Sequence, residues 1–151
     1  MRLERTKDAA LIRSIVTHES IWPHVSEDGV SRETWEPAIH DQIYQLAIID
    51  EEGVGGVFIL TPHSSVCWEV HTCVLPSHRG AKAREATALC AKWMFANSPC
   101  LHIITKVPAY NRQAYKLARD SGLRDIGVIE SAWVKGGEAC DVYLLGVLKC
   151  Q

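Results

Sequence analysis

The chain has 151 residues, 47% hydrophobic and 23% charged, which is enough to close a substantial core, and no linker, repeat or low-complexity tract divides it. One domain over residues 1–151 is expected. A formal net charge of -2 gives no global basic field, which disfavours nucleic acid or an acidic membrane surface as a partner.

Residues 1–16 alternate charged and apolar side chains and lack the apolar stretch of a secretory signal; no segment is long enough to span a bilayer, so the cytoplasm is the expected location. The six cysteines form no C-x-x-C pair and sit mostly in apolar runs, as small buried hydrophobes do in a reducing compartment. The seven histidines are too scattered for a zinc site, and no metal is expected.

In chain order, Thr6 precedes a run in which Ala10, Leu11, Ile12, Ile15 and Val16 recur at helical spacing, with Asp8 suited to the first turn. The next stretch is broken by Pro23, Gly29 and Pro37 and reads as loop with a short second helix around residues 32–39. Two β-rich runs, 43–49 and 54–60, flank an acidic turn with Gly53 and read as a hairpin. A third run, 66–75, stops at Pro76. Residues 83–96 place Ala86, Leu89, Cys90, Trp93 and Met94 on one helix face. Residues 101–107 read as a strand, and 111–122 as a helix starting at Asn111 and stopping at Gly122. Residues 123–134 and 140–149, separated by Gly136 and Gly137, read as a closing antiparallel pair. The order predicts an α+β fold, close to α/β, with a sheet covered by helices on both faces.

Two places carry chemistry. Between the third β-run and the long helix lies "PSHRGAKA", which sets Arg79, Gly80 and Lys82 at a helix mouth. Open backbone N–H groups and the positive end of the helix dipole suit an anion there, although the same residues also suit an ordinary strand-to-helix turn. On the third β-run, Glu69, His71 and Cys73 share one face, where Glu69 or His71 either moves a proton or pairs with a neighbour.

The element order, the loop "PSHRGAKA" and the later "NRQAYKLARDSGL" together resemble the GNAT family of N-acetyltransferases, over nearly the whole chain and least before Ile43. The stretch "EVHTCVLPSHRG" is similar to small GNAT-like proteins of bacteriophages and bacteria. In that family a [Q/R]-x-x-G-x-[G/A] loop binds the pyrophosphate of acetyl-CoA through backbone amides, and an Asn-led helix ending in Gly-Phe or Gly-Leu follows. Asn111, Ala114, Leu117, Gly122 and Leu123 match the second pattern. The loop departs from the first. With Arg79 leading, Lys82 and Arg84 occupy the small-residue positions; with His78 leading, Ala81 and Ala83 restore small residues, and this register is preferred.

The resemblance implies a GNAT-type mixed, mostly antiparallel sheet and acetyl-CoA as co-substrate. It also implies a primary amine of a small molecule or protein as acceptor. It assigns acetyl-CoA contacts to Cys73, Val74, Leu75, Arg79, Gly80, Ala81, Lys82, Ala83 and Asn111, with the third β-run splaying from the next strand. Acyl transfer needs a base, for which Glu69 and His71 are candidates with Glu69 the better placed. The tyrosine that many members carry seven residues beyond the Asn is Ala118 here, leaving Tyr115 and Tyr110 as substitute acids. Trp22, His24, Trp35 and Trp133 fall where the family shapes its acceptor pocket. A homodimer stays open. So does a second reading, a GNAT-fold module that binds acyl-CoA or a partner without turnover, which the altered loop and the displaced tyrosine favour.

Overall fold

In the computed structural model, which describes residues 1–150, the chain runs β1 (Arg2–Arg5), α1 (Ala9–Val16), α2 (Trp22–Val25), β2 (Tyr44–Asp50), β3 (Gly53–Pro62) and β4 (Cys67–Val74). A 3-10 turn (Pro76–His78) leads into α3 (Ala81–Asn97), followed by β5 (His102–Pro108), α4 (Arg112–Asp120), β6 (Arg124–Lys135) and β7 (Glu138–Leu148). The strands form one seven-stranded sheet in the order β1-β2-β3-β4-β5-β7-β6. Neighbours are antiparallel except β4 with β5. No helix among the described residues is long and apolar enough to cross a membrane.

Alternating side chains of the central strands feed two cores. Phe58, Leu60, Trp68 and Val70 pack under Ala86, Cys90 and Met94 of α3, while Val57 and Cys73 pack on the other face under Ile12, Ile15 and Val16 of α1. A third cluster joins Ala118 of α4 to Val107 and Leu145.

Two expectations need correction. The helix expected around residues 32–39 is absent, and the second helix is Trp22–Val25, started by a proline that needs no N–H partner in a first turn. Residues 32 and 33 are held as loop: Arg13 Nη2 donates to their carbonyls at 3.1 and 2.8 Å, and Arg32 Nε donates to Thr17 O at 2.7 Å. The sheet also gains β1, four residues of which only Leu3 is partly buried, too short for an alternation to register. Asp8 proves to be the N-cap of α1, accepting from Leu11 N at 3.1 Å.

β4 and β5 pair at only three positions, Cys67↔His102, Trp68↔Ile103 and Glu69↔Ile104. Beyond them each stays with its outer neighbour, β4 with β3 as far as Val74↔Gly56 and β5 with β7 as far as Pro108↔Val142, and a gap opens between. Val70 O, where the ladder stops, accepts instead from the Thr105 hydroxyl at 3.1 Å. Thr105→Val keeps the shape and removes that donor, so it should lower stability by about 1 kcal/mol in chemical denaturation, the net contribution of a partly buried hydrogen bond. Unchanged stability would show that the hydroxyl does not hold the fork.

Candidate functional site

The carbonyls of Val66 and Val70 face β5, the first accepting from Leu101 N at 2.8 Å. By the alternation of a strand, Thr72 and Val74 turn their backbone groups the same way, into the gap. A groove of about 920 Å³ runs through it, lined by Val70, Thr72 and Val74 on the α3 side and by Glu69 and His71 on the α1 side. Cys73 and Leu75 do not join it. Leu75 N donates to Gly55 O at 2.9 Å. Cys73 is buried under α1, and burial pushes its thiol up to about 12.

At one end the groove meets the N-terminus of α3. The N-cap, Gly80, has φ 72 and ψ -127, a conformation that L side chains rarely adopt, and it supplies no capping side chain. The first helical bond comes from Arg84 N, so the amides of residues 81–83 open outward. Gly80, Ala83 and Arg79 line the groove. Arg79 also donates through Nη2 to Ser20 O at 2.8 Å.

The other basic residues of the loop turn away. His78, 2% exposed, lies against Gly55, where any Cβ would overlap its ring. Its Nε2 donates to Asp50 Oδ2 at 2.8 Å, and its Nδ1 shares a hydrogen bond of 2.8 Å with Ser77 Oγ. Lys82 bonds Asp50 at 3.1 Å and Glu52 at 3.2 Å. In the His78-led register the leading residue is thus turned away from the groove as a structural anchor, and the small residues at 81 and 83 stand at the open mouth of α3. Ligand atoms of Asp50, Glu52 and His78 lie within 4.8 Å of one another, but the Lys82 ammonium already bonds both carboxylates. The His78 bond, with the Glu52 amide and Lys82, holds Asp50 down to about 2 against its desolvation.

On the opposite face, Glu69 accepts from two sides: His71 Nε2 at 2.9 Å on Oε2 and Lys106 Nζ at 3.1 Å on Oε1. His71, with Lys106, holds Glu69 at about 2 although burial raises it. His71 is half exposed, and its Nδ1 has no partner among the described residues. Lys106 escaped sequence reasoning because its nearness to Glu69 depends on the β4–β5 pairing.

The tyrosines do not reach the groove. Tyr115 donates to both oxygens of Asp125 at 2.9 Å and stacks edgewise on Tyr143, so the expectation that it serves as acid is not supported by its position. Tyr110 accepts from Trp133 Nε1 at 3.2 Å. Asn111 is committed at both ends of its amide: Oδ1 caps α4 by accepting from Ala114 N at 3.2 Å, and Nδ2 donates to His24 O at 3.3 Å. His24 and Trp133 line the groove, whereas Trp22 and Trp35 pack on each other beside α1.

Residues 20–28 cross the groove as a strap. It is fastened by Arg79 at Ser20 and by Asn111 at His24. Glu27 Oε2 accepts from Val134 N at 2.9 Å, Asp28 accepts from Gly136 N and Gly137 N at 3.1 and 2.8 Å, and Lys135 Nζ donates to Ser26 O at 2.7 Å.

Residues 12–151 match the family described as a protein of unknown function (DUF2824). The chain belongs to that family. No curated protein matches it. Solved structures do match in fold. The spermidine N-acetyltransferase from Vibrio cholerae in complex with CoA and spermine is 19% identical, with a TM-score of 0.80 over 97% of this chain and 94% of that one. The ribosomal-protein-S5-alanine acetyltransferase from Vibrio fischeri is 15% identical, with a TM-score of 0.76 over 97% and 91%. A GNAT-family acetyltransferase from Bacillus anthracis is 18% identical, with a TM-score of 0.73 over 98% and 95%. The chain thus has the GNAT fold that the resemblance implied.

Asp50 supplies a test of the loop anchor. Its native value of about 2 lies below the ordinary ~3.9 of an unfolded chain, so its contribution is complete above the latter and is lost as pH falls through the former. Melting temperatures of the wild type and Asp50→Asn should therefore converge as pH drops from about 4 toward about 2. Parallel curves over that range would contradict the anchor.

Proposed function

We propose that the protein is an acetyl-CoA-dependent N-acetyltransferase. One observation carries the reading: the gap places backbone amides of Thr72 and Val74, the open N-terminus of α3 and the Glu69–His71 pair around a single groove. The Vibrio cholerae structure with CoA and spermine, which shares the fold, supports the choice of ligand.

The pyrophosphate sits on the amides of residues 81–83, where small side chains and the glycine N-cap permit close approach. The pantetheine lies in the gap as an added strand, and the thioester carbonyl is polarised by amides of β4. The amine approaches from the His71 face. His71 is the base rather than Glu69, because both carboxylate oxygens are occupied and the group is held ionised at about 2. An ammonium loses one proton through His71 Nδ1 to water. Its nitrogen then attacks the carbonyl carbon, the C–N bond forms, the C–S bond breaks, and the second proton passes from nitrogen to the departing thiolate. No tyrosine is required for that balance.

The strap decides the acceptor's shape. Fastened on both sides of the groove, it admits a slender amine, whether a small molecule or an extended chain end, and excludes a lysine on a flat folded surface. The second reading, acyl-CoA binding without turnover, is favoured by the lack of a tyrosine among the described lining residues. Free thiol released with amines present separates the two.

Two variants test the assignment. Ala81→Asp puts a carboxylate on an exposed first-turn position, which suits the helix dipole but repels phosphate. It should keep the melting temperature of the free protein and abolish the rise that saturating acetyl-CoA produces in the wild type; an equal rise in both would remove the phosphate site. His71→Gln should lower kcat by about 10²–10⁴-fold, the usual contribution of a positioned base, with acetyl-CoA affinity retained. Wild-type turnover in that variant would exclude His71.

A further inference from the structure

We propose that Lys106 is a positioning residue of the transfer reaction, holding Glu69 so that Glu69 in turn orients His71; the proposal rests on the N-acetyltransferase reading above.

Lys106 stands two residues beyond Ile104, the last β5 residue paired with β4. In a continuous parallel ladder it would lie opposite His71, two residues beyond Glu69. The splay removes the backbone link at that level, and the side chain spans the opening instead. Its ammonium reaches back to Glu69 Oε1 at 3.1 Å, while Glu69 Oε2 meets His71 Nε2 at 2.9 Å. Each carboxylate oxygen thus has its own cationic or N–H partner, one from each side of the fork. A carboxylate bonded only to His71 keeps freedom about its terminal torsion, which is broad for Glu. Bonded at both oxygens, it fixes the plane of the imidazole and leaves Nδ1 as the nitrogen directed to an acceptor.

The placement also distinguishes Lys106 from an ordinary surface cation. Exposed ion pairs contribute little to stability, yet the Glu69 side chain is only 16% exposed, and both groups line the groove. Thr105, the preceding residue, bridges the same fork on the α4 face through Val70 O. Adjacent residues of β5 therefore tie the two faces of the opening, one to the backbone of β4 and the other to the carboxylate that orients the base.

The test compares K106M, K106R, H71Q and the H71Q/K106M double variant with the wild type, using acetyl-CoA and one amine that the wild type acetylates. K106M preserves the aliphatic length and should lower kcat by about 10- to 100-fold, the scale of misplacing a reacting group by about 1 Å, with both KM values little changed. K106R should restore most of that loss. In the H71Q background K106M should cost no more than about twofold further, because a residue acting through His71 has nothing left to position. A wild-type kcat in K106M, a loss confined to the acceptor KM, or the full loss repeated in the H71Q background would each overturn the role of Lys106 while leaving the enzyme reading intact. A wild-type protein that neither transfers acetyl groups nor gains thermal stability from acetyl-CoA would overturn both.

Discussion

The early parting of β4 from β5 is the constraint on which the rest of the structure depends. After three pairs the only parallel contact of the sheet ends, and the backbone of Thr72 and Val74 faces the gap, where Val74 O accepts from Arg79 Nε at 3.4 Å. Unpaired backbone groups are costly inside a fold, so the gap persists only because β3 and β7 hold the two strands from outside and α3 and α4 cover one face. A molecule that lies along the gap as an extended chain would complete the interrupted ladder. The same parting creates room for Glu69, His71 and Lys106 to meet on the other face.

The loop before α3 divides its labour in a way that its composition conceals. Two of its basic residues, His78 and Lys82, serve architecture by anchoring to Asp50 on the β2–β3 turn. The groove is left to glycine, alanine and open amides, with Arg79 beside them. Anion affinity from backbone N–H groups needs no net positive charge, which fits a chain whose formal charge is -2.

Most elements were legible in the sequence because periodicity and punctuation agreed. Gly53, Pro76, Gly122 and the Gly136–Gly137 pair stand at turns or ends of β2–β3, β4, α4 and β6–β7. Failures came where local signals competed. Residues 32–39 carry a helical pattern, but contacts from Arg13 and Arg32 hold their start as loop, and the turn is made earlier at Pro23. The site was legible only in part. Alternation on β4 placed Glu69 beside His71, and the cap at Asn111 was visible in the pattern. The direction of Tyr115, the burial of His78 and the reach of Lys106 depend on Asp125, on Asp50 with Gly55, and on the strand order, none of which is local in sequence. The strap of residues 20–28 likewise becomes visible only once the β6–β7 hairpin lies beside it.

The central claim is that one groove holds acetyl-CoA across the fork, with its phosphates at α3 and its thioester beside β4. A crystal structure of the protein with acetyl-CoA tests it most directly. We expect pyrophosphate oxygens on the amides of residues 81–83, pantetheine bonded to the gap-facing backbone of Thr72 and Val74, and the acetyl group within reach of an amine on the His71 side. Acetyl-CoA bound elsewhere, or a gap left without it at saturating concentration, would rule out the fork as its site.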